Sequence, residues 1–145
     1  MSTGKIKIAL IGCGAISSFH YKALETFDNA EVIGVFDTNI ERAKAFADER
    51  CIGVFESKES LLLSDADLVT ICTPSGLHTP LAIECLDAGK NVVLEKPVAI
   101  TGEECQMLLE AEKRSHRFCA PISQLRYYDD IRRARSIVYL QIPMW

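Results

Sequence analysis

The chain has 145 residues, of which 48% are hydrophobic and 25% charged, and its formal net charge is −4. This length suits one domain with a sizeable core. The sequence contains no run of ~20 apolar residues, and its polar start is not typical of a secretory signal, so we expect neither a membrane segment nor a signal peptide. Six scattered cysteines without a C-x-x-C pair argue against a disulfide scaffold and a zinc site, so we expect a reduced, cytoplasmic protein.

Short apolar runs alternate with helical patterns along the first 122 residues. Six apolar runs are predicted as strands, at 5–11, 31–36, 51–55, 68–72, 91–94 and 118–122. Five segments are predicted as helices, at 15–27, 38–50, from 57, 77–88 and 101–115. This alternation predicts an α/β fold with a doubly wound, mostly parallel sheet and helices on both faces.

Local signals mark where several of these helices begin or end. Thr38 with Glu41, and Thr101 with Glu104, have the spacing of a capping box. Gly89 stands just past the end of a predicted helix, where glycine is favoured. One side of the first helix is apolar, and we expect it to face the sheet through Ile16, Phe19, Ala23 and Leu24 or Phe27.

The turn after the first strand carries a Gly-x-Gly pattern. Gly12 permits the tight turn, and Gly14 lets the backbone approach a pyrophosphate. The helix that begins at Ala15 and Ile16 offers N–H donors and its positive dipole end to phosphates. The third position of the dinucleotide fingerprint is Ser17, which is small but not glycine. The pattern favours a dinucleotide site, although many turns carry two such glycines.

Asp37 and Thr38 follow the second strand. An acid at this position accepts hydrogen bonds from the adenosine ribose and repels a 2′-phosphate, so we predict NAD in preference to NADP. No arginine follows directly, since Arg42 lies five residues on, inside the predicted helix. The alternative is that Asp37 only caps that helix beside Thr38.

The fourth strand ends in Thr73-Pro74, which is followed by His78. Ligands of such sheets bind at the carboxyl ends of the strands, so Thr73 and Pro74 are predicted to form a wall beside the nicotinamide half. His78 is a second candidate for this pocket. Its alternative role is that of a histidine at a helix start, hydrogen-bonded to the backbone.

Glu95-Lys96-Pro97 ends the fifth strand. A lysine here can hydrogen-bond a substrate hydroxyl, stabilise an alkoxide or move a proton, and Glu95 can orient the lysine or contact the nicotinamide ribose. Pro97 restricts Lys96 to an extended backbone. The alternative is a surface salt bridge worth less than ~1 kcal/mol.

The segments "IALIGCGAIS..FH", "VIGVFDTNIERAKAFA" and "ADLVTICTPSGLHTPLAIECLDAGKNVVLEKPVAIT", with the weaker "QLRYYDDIRRAR", are similar to the glucose–fructose oxidoreductase / inositol dehydrogenase (Gfo/Idh/MocA) family. The match covers roughly residues 6–135. It implies a Rossmann domain of an NAD(P)-dependent oxidoreductase that transfers hydride to or from a sugar, inositol or related polyol. By this resemblance Lys96 contacts substrate and assists proton transfer, and Arg126 lies in a segment that crosses toward a second domain.

Together, motifs and resemblance give one predicted catalytic residue, Lys96, and no metal ligand. The predicted cofactor-binding residues are Gly12, Gly14, Ala15, Ile16, Asp37, Thr38, Thr73, Pro74, His78, Glu95, Lys96 and Pro97.

The last part of the sequence departs from the family, whose members are usually much longer and carry a second α/β domain. We expect a dinucleotide-binding domain at 1–122 and, at 123–145, a crossover helix with a truncated apolar tail. One side of that helix is apolar, with Tyr128, Ile131, Ala134 and Val138. We expect the tail to form a homo-oligomer contact.

The charge is uneven, because residues 1–110 carry 9 Lys/Arg and 17 Asp/Glu (−8), and residues 111–145 carry 7 and 3 (+4). The arginines of the second part are mixed with Asp129 and Asp130, so a solvated helix face is favoured over a nucleic-acid site.

Three hypotheses follow for the function. The first is the cofactor-binding part of a sugar or polyol dehydrogenase, incomplete as a catalyst by itself. The second is a non-catalytic NAD-binding sensor, or a subunit that a partner chain completes. The third is a degenerate remnant that keeps the fold and has lost the function.

Overall fold

The computed structural model describes residues 4–139, with side chains through residue 136. In this part of the chain the strands are β1 (Ile6–Ile11), β2 (Ala30–Phe36), β3 (Gly53–Val54), β4 (Leu68–Ile71), β5 (Asn91–Leu94) and β6 (Cys119–Pro121). The helices are α1 (Ala15–Leu24), α2 (Ile40–Asp48), α3 (Lys58–Leu62), α4 (His78–Asp87), α5 (Gly102–Ser115) and α6 (Asp129–Tyr139). Every predicted strand is present, and the predicted α/β class is confirmed.

The strands form one six-stranded sheet in the order β3-β2-β1-β4-β5-β6. All of its pairs are parallel. The chain first builds outward from β1 to β3 and then returns to build from β4 to β6. The direction reverses between β1 and β4, and this reversal leaves a crevice at the carboxyl ends of the two strands.

Helices cover both faces of the sheet, because alternate residues of each strand point to opposite faces. Ala9 and Ile11 of β1 belong to one buried cluster, which α3, α4 and α5 cover with Leu61, Leu86 and Leu108. Leu10, between them in sequence, belongs to a second cluster with Val35, Ala43, Phe46 and Ala47, which α2 covers and α1 flanks. The prediction of a doubly wound sheet is therefore confirmed in both of its layers.

The predicted orientation of α1 is correct for Leu24 and wrong for Phe19. Phe19 is 70% exposed, whereas Ser17 is completely buried, and Tyr21 and Leu24 pack toward the core. Ser17 fixes the rotation of the helix, because its hydroxyl donates to the carbonyl oxygen of Gly12. Residues four and seven positions later share its side of the helix, so Tyr21 and Leu24 face inward and Phe19 faces away.

The helix starts confirm one predicted capping box and correct the other. Thr101 caps α5 by accepting from the amide of Glu104, as predicted. At α2 the cap is Asn39, whose side chain accepts from the amide of Arg42. Thr38 is therefore one residue too early, and the helix begins after an Asn, which is among the best capping residues.

The C-terminal part of the described chain is α6, which follows a short 3-10 turn at Gln124–Tyr127. Tyr128, just before this helix, and Ile131 within it are 59% and 46% exposed. Val138 and the tail expected to form an oligomer contact lie outside the described side chains, so that contact and the 122/123 boundary stay predictions. No helix within residues 4–139 is long and apolar enough to span a membrane.

Candidate functional site

A cavity of about 670 Å³ opens where β1, β2 and β4 end, at the reversal of strand order. Eight predicted cofactor-binding residues line it: Gly12, Gly14, Ala15, Ile16, Asp37, Thr38, Thr73 and Pro74. Seven further residues complete the lining: Ile11, Phe36, Arg42, Lys58, Cys72, Leu77 and Leu81. The structure thus brings together residues from three strand ends that are far apart in sequence.

The turn between β1 and α1 requires glycine at position 12. Gly12 has φ of +92°, and a Cβ there would lie 2.8 Å from the backbone oxygen of Cys72. Its amide donates to the carbonyl oxygen of Phe36 at 2.8 Å. The completely buried Ser17 hydroxyl donates to the carbonyl oxygen of Gly12 at 2.6 Å. A serine at the third fingerprint position therefore holds the turn by a hydrogen bond, in addition to being small.

Gly14 serves a different purpose from Gly12. Its φ is −80°, and a Cβ built on it would meet no atom within 4 Å, so the space beside it is open. Gly14 is also the N-cap of α1, and no side chain caps this helix. The first amides of α1 can therefore donate to an anion in the cavity, where the helix dipole is positive.

Asp37 is built into the floor of the cavity. One carboxylate oxygen accepts from the amide of Cys13 at 2.9 Å and the other from the amide of Asn39 at 2.8 Å. The residue is 8% exposed. Asp37 thereby joins the glycine turn to the end of β2, and the helix cap that the sequence allowed for it is supplied by Asn39 instead.

Arg42 reaches the same carboxylate, which the sequence analysis did not anticipate. Its Nη1 lies 3.6 Å from Oδ2 of Asp37, and its side chain is 55% exposed and lines the cavity. Arg42 lies in the first turn of α2, and side chains of a helix point back toward its N-terminus. A distance of five residues therefore does not separate this guanidinium from the acid.

Two buried thiols flank the glycine turn. Burial raises the pKa of Cys13 to about 12, and the nearby Asp37 carboxylate adds to the shift. Burial likewise raises the pKa of Cys72 to about 12, although a hydrogen bond with Ser17 acts in the opposite direction. Both groups are protonated and neutral at physiological pH, so they act as small apolar residues here.

Thr73 supplies an unused polar group at the cavity. Its hydroxyl oxygen is buried and has no hydrogen-bond partner in the described part of the chain. Buried polar atoms usually have a partner, so an orphaned hydroxyl at a cavity wall fits a bound polar ligand. The open Gly14 backbone, the uncapped α1 and this hydroxyl together fit a phosphate-containing dinucleotide.

Glu95, Lys96, Pro97 and His78 do not line this cavity. His78 is 1% exposed, with Nδ1 2.7 Å from the carbonyl oxygen of Pro97 and Nε2 2.9 Å from that of Thr73. These contacts match the backbone-bonding alternative for His78. Lys96 is exposed, and no described residue pairs with its ammonium group. The roles predicted for these four residues stay predictions.

His20 also contacts this region, and no sequence motif points to it. Its Nε2 lies 2.8 Å from Oε1 of Glu95, and the two side chains are 12% and 8% exposed. The partners are 75 residues apart, and no local spacing links a position on α1 to the end of β5. Among the described side chains, here and in the rest of the domain, no group of three or more His, Cys, Asp or Glu could hold a metal ion.

Fold and site together define a nucleotide-binding α/β domain with its cavity at the reversal of strand order. The family model described as "Oxidoreductase family, NAD-binding Rossmann fold" (Gfo/Idh/MocA) matches residues 6–122. The chain belongs to this family, as the resemblance indicated, and it carries the family's NAD-binding Rossmann domain.

Among curated relatives, the chain is 33% identical over 137 residues to an inositol 2-dehydrogenase of Pseudomonas savastanoi pv. phaseolicola, covering 92% of this chain and 41% of that protein. It is 30% identical over 132 residues to the glucose-6-phosphate 3-dehydrogenase of Bacillus subtilis, covering 91% and 37%. The chain thus spans less than half of the length of these relatives.

A solved structure of a dehydrogenase shares the fold of this chain over part of its own length. The WlbA dehydrogenase from Chromobacterium violaceum, in complex with NADH and UDP-GlcNAcA, superposes with a TM-score of 0.91 at 32% identity. The match covers 97% of this chain and 41% of that structure. That protein binds NADH, which agrees with a nucleotide-binding role for the matched fold.

Proposed function

We propose that the chain binds NAD(H) and supplies the cofactor half of an oxidoreductase acting on a sugar, inositol or related polyol. The observation that carries this proposal is the Asp37 carboxylate, which is held against the glycine turn by the Cys13 amide and lines the cavity. An acid in this place suits the two free hydroxyls of an adenosine ribose. The relatives named above act on inositol and on a sugar phosphate.

The preference for NAD over NADP rests on the balance of charge at Asp37. A 2′-phosphate placed there would face a buried carboxylate, which disfavours it. Arg42 acts in the opposite sense, because its guanidinium lies 3.6 Å from the carboxylate and is accessible from the cavity. We infer that Asp37 prevails, because it is the more buried of the two groups and hydrogen-bonds the turn itself.

In this proposal, different residues of the chain bind the cofactor and handle the proton. The amides at the start of α1 bind the pyrophosphate, and Asp37 binds the ribose. Thr73 and Pro74 form the wall of the cofactor pocket on the β4 side. A bound nicotinamide supplies the hydride acceptor or donor. Lys96, at the end of β5, holds or moves the proton of the reacting substrate oxygen through its ammonium group.

Calorimetric titration with NAD, NADH, NADP and NADPH tests this proposal. We expect binding of NAD and NADH, with NADP and NADPH at least about tenfold weaker because of the unfavourable carboxylate–phosphate contact. Asp37→Ser should remove this preference, and Arg42→Gln should weaken NADP further while leaving NAD nearly unchanged. Absence of binding by all four nucleotides would contradict the proposal.

A second measurement separates the catalytic form of the proposal from its alternative. We expect slow reduction of NAD by a panel of inositols and sugars, and loss of that reduction in Lys96→Ala. Tight NADH binding with no reduction by any member of the panel would favour a sensor, or a subunit that a partner chain completes.

The six cysteines add a proposal about environment. All six are free, and four have a raised pKa. We propose that the chain works in a reducing compartment such as the cytoplasm, where unpaired thiols persist.

A further inference from the structure

Two histidines from different helices contact the segment Glu95-Lys96-Pro97. His20 lies on α1 and His78 begins α4, and these helices pack on opposite faces of the sheet. Neither histidine lines the cofactor cavity. Their contacts therefore call for an explanation other than cofactor binding.

On one side, His20 acts through Glu95. The imidazole Nε2 lies 2.8 Å from Oε1 of Glu95, and the other carboxylate oxygen accepts from the backbone amide of Lys96 at 3.1 Å. The His20 and Glu95 side chains are 12% and 8% exposed. Since a carboxylate accepts and a ring N–H donates, His20 is in the tautomer with a proton on Nε2, or is doubly protonated. The Glu95 carboxylate thus connects α1 to the backbone of Lys96.

On the other side, His78 contacts the carbonyl oxygen of Pro97. Its Nδ1 lies 2.7 Å from that oxygen, and its Nε2 lies 2.9 Å from the carbonyl oxygen of Thr73. Carbonyl oxygens only accept, so each contact is a hydrogen bond when the facing ring nitrogen carries a proton. His78 thus lies between Pro97 and Thr73, which lines the cavity, and a neutral imidazole donates to only one of these two carbonyl oxygens.

The backbone is consequently held immediately before and after Lys96, while the ammonium group has no partner among the described residues. A lysine side chain has four rotatable bonds and sets its own direction poorly. The protein therefore controls where the Lys96 ammonium group can reach mainly by fixing the position of the Lys96 backbone.

We propose that His20 and His78 are positioning residues, which fix the backbone of Lys96 from two sides and relate it to the cofactor cavity. This inference deepens the proposed function, because it rests on Lys96 as the residue that handles the proton. It predicts that each histidine acts by donating a hydrogen bond from one ring nitrogen, which is Nε2 in His20 and Nδ1 in His78.

Asparagine and glutamine variants separate those nitrogens. The amide nitrogen of Asn can take the place of Nδ1, and that of the longer Gln can take the place of Nε2, each as a donor. The proposal therefore predicts a crossed pattern, in which His20→Gln and His78→Asn keep the contacts while His20→Asn and His78→Gln lose them. Histidines that only fill space would show no such crossing.

The first readout is NMR of the full chain without cofactor. In His20→Asn the Lys96 amide should exchange with solvent about tenfold faster or more, because the hydrogen bond that protects it is weakened, while His20→Gln stays near wild type. In His78→Gln the Val98 amide, which shares a peptide group with the Pro97 carbonyl, should shift, while His78→Asn stays near wild type.

The second readout follows the lysine itself. Reductive methylation with ¹³C-formaldehyde gives each lysine a methyl signal, and Lys96→Arg identifies that of Lys96. Addition of NADH should shift this signal in wild type, His20→Gln and His78→Asn, and by less than half as much in the other two variants. Equal behaviour within each pair of variants would overturn the proposal.

Two controls keep the outcome decisive. Thermal unfolding shows whether each variant folds. If a variant does not fold, ¹⁵N spectra of the wild-type imidazoles test the positioning role instead, because they show which ring nitrogens carry a proton. A His20 Nε2 or a His78 Nδ1 without its proton would overturn the proposal. If NADH fails to bind wild type, the proposed function fails, whereas amide exchange in the cofactor-free chain still decides for or against the positioning role.

Discussion

The carboxyl ends of β1 and β5 hold the residues to which we assign function in different ways. At β1, the glycine turn is fixed by Ser17 and Asp37, whose bonds to it span 5 and 24 residues. At β5, the segment around Lys96 is fixed by His20 and His78, from 75 and 19 residues away in sequence. The β1 end is therefore held within one strand–helix–strand unit, whereas the β5 end depends on two helices from opposite faces.

The strongest way to break this contrast is to substitute Gly12. Gly12→Ala should destabilise the protein by roughly 3 kcal/mol, because an L-residue is strained at φ of +92° and its Cβ would lie 2.8 Å from a backbone oxygen. Urea unfolding followed by circular dichroism measures the loss.

Two other glycines serve as controls for that prediction. Gly14→Ala should leave stability within about 0.5 kcal/mol and weaken NADH binding, since its Cβ meets only open space in the cavity. Gly76→Ala, where a Cβ also meets no atom within 4 Å, should change neither. Equal stability of the Gly12 and Gly14 variants would show that the turn is not rigid.

For one thiol over one pH unit, alkaline pH offers the next largest effect. Burial raises the pKa of Cys13, Cys72, Cys85 and Cys119 to about 12, from an ordinary value near 9. Above pH 9 the unfolded thiols ionise first, so the free energy of unfolding should fall as pH rises toward 12, by up to about 1.4 kcal/mol per pH unit for each thiol. Below pH 9 these thiols should contribute no pH dependence.

The thiols at the glycine turn can be tested individually by urea titration at pH 7.5 and 10.5 under a reductant. Cys13→Ala should reduce the loss of stability between the two pH values, and Cys51→Ser, at an exposed position, should not. An unchanged loss in Cys13→Ala would show that this thiol is accessible to solvent, and that the turn opens more readily than its contacts suggest.

Ser17 gives a smaller effect on the same turn. Ser17→Ala should cost about 1–2 kcal/mol, because a buried hydrogen bond to the Gly12 carbonyl is lost and the oxygen is left without a partner. Ser18→Ala should cost less, since that hydroxyl accepts from the partly buried Arg50 at 3.2 Å. Chemical unfolding of both variants compares them, and the reverse order would contradict the assigned role of Ser17.

The smallest expected effect is at Lys96. Lys96→Ala should change stability by less than about 0.5 kcal/mol, because the side chain is exposed and pairs with no described residue. Glu95→Ala is the matched contrast, and its loss of two buried contacts should cost about 2 kcal/mol or more. A clear stability loss in Lys96→Ala would mean that the β5 end, like the β1 end, uses its functional residue to stabilise the fold.

The order of strands and helices could be predicted from sequence because each element carries a local signal. The run Asn91–Leu94 and the Thr101 capping box lie where they were predicted. The cap of α2 and the orientation of α1 were not, since Asn39 and Thr38 are both good caps and the side of α1 that faces inward is fixed by one hydrogen bond of Ser17.

The candidate site likewise contains residues whose meeting the sequence predicts and residues whose meeting it does not. Gly12, Gly14 and Asp37 belong to one strand–helix–strand unit, so their spacing predicts their meeting. Arg42 lies five residues from Asp37 along the chain, but its side chain points back along α2 and reaches the carboxylate. His20 could not be predicted, because its partner Glu95 is brought to it by the pairing of β1 with β4 and of β4 with β5.

The pairing of β1 with β4 also has a consequence for how the chain acquires its structure. Three helices and two strands lie between β1 and β4 along the chain, whereas a single α-helix separates β1 from β2 and β4 from β5. Closing the longest loop costs the most chain entropy and delays the contact that depends on it. During synthesis the two halves of the sheet can each begin to form, but the crevice for the cofactor comes into being only when they join.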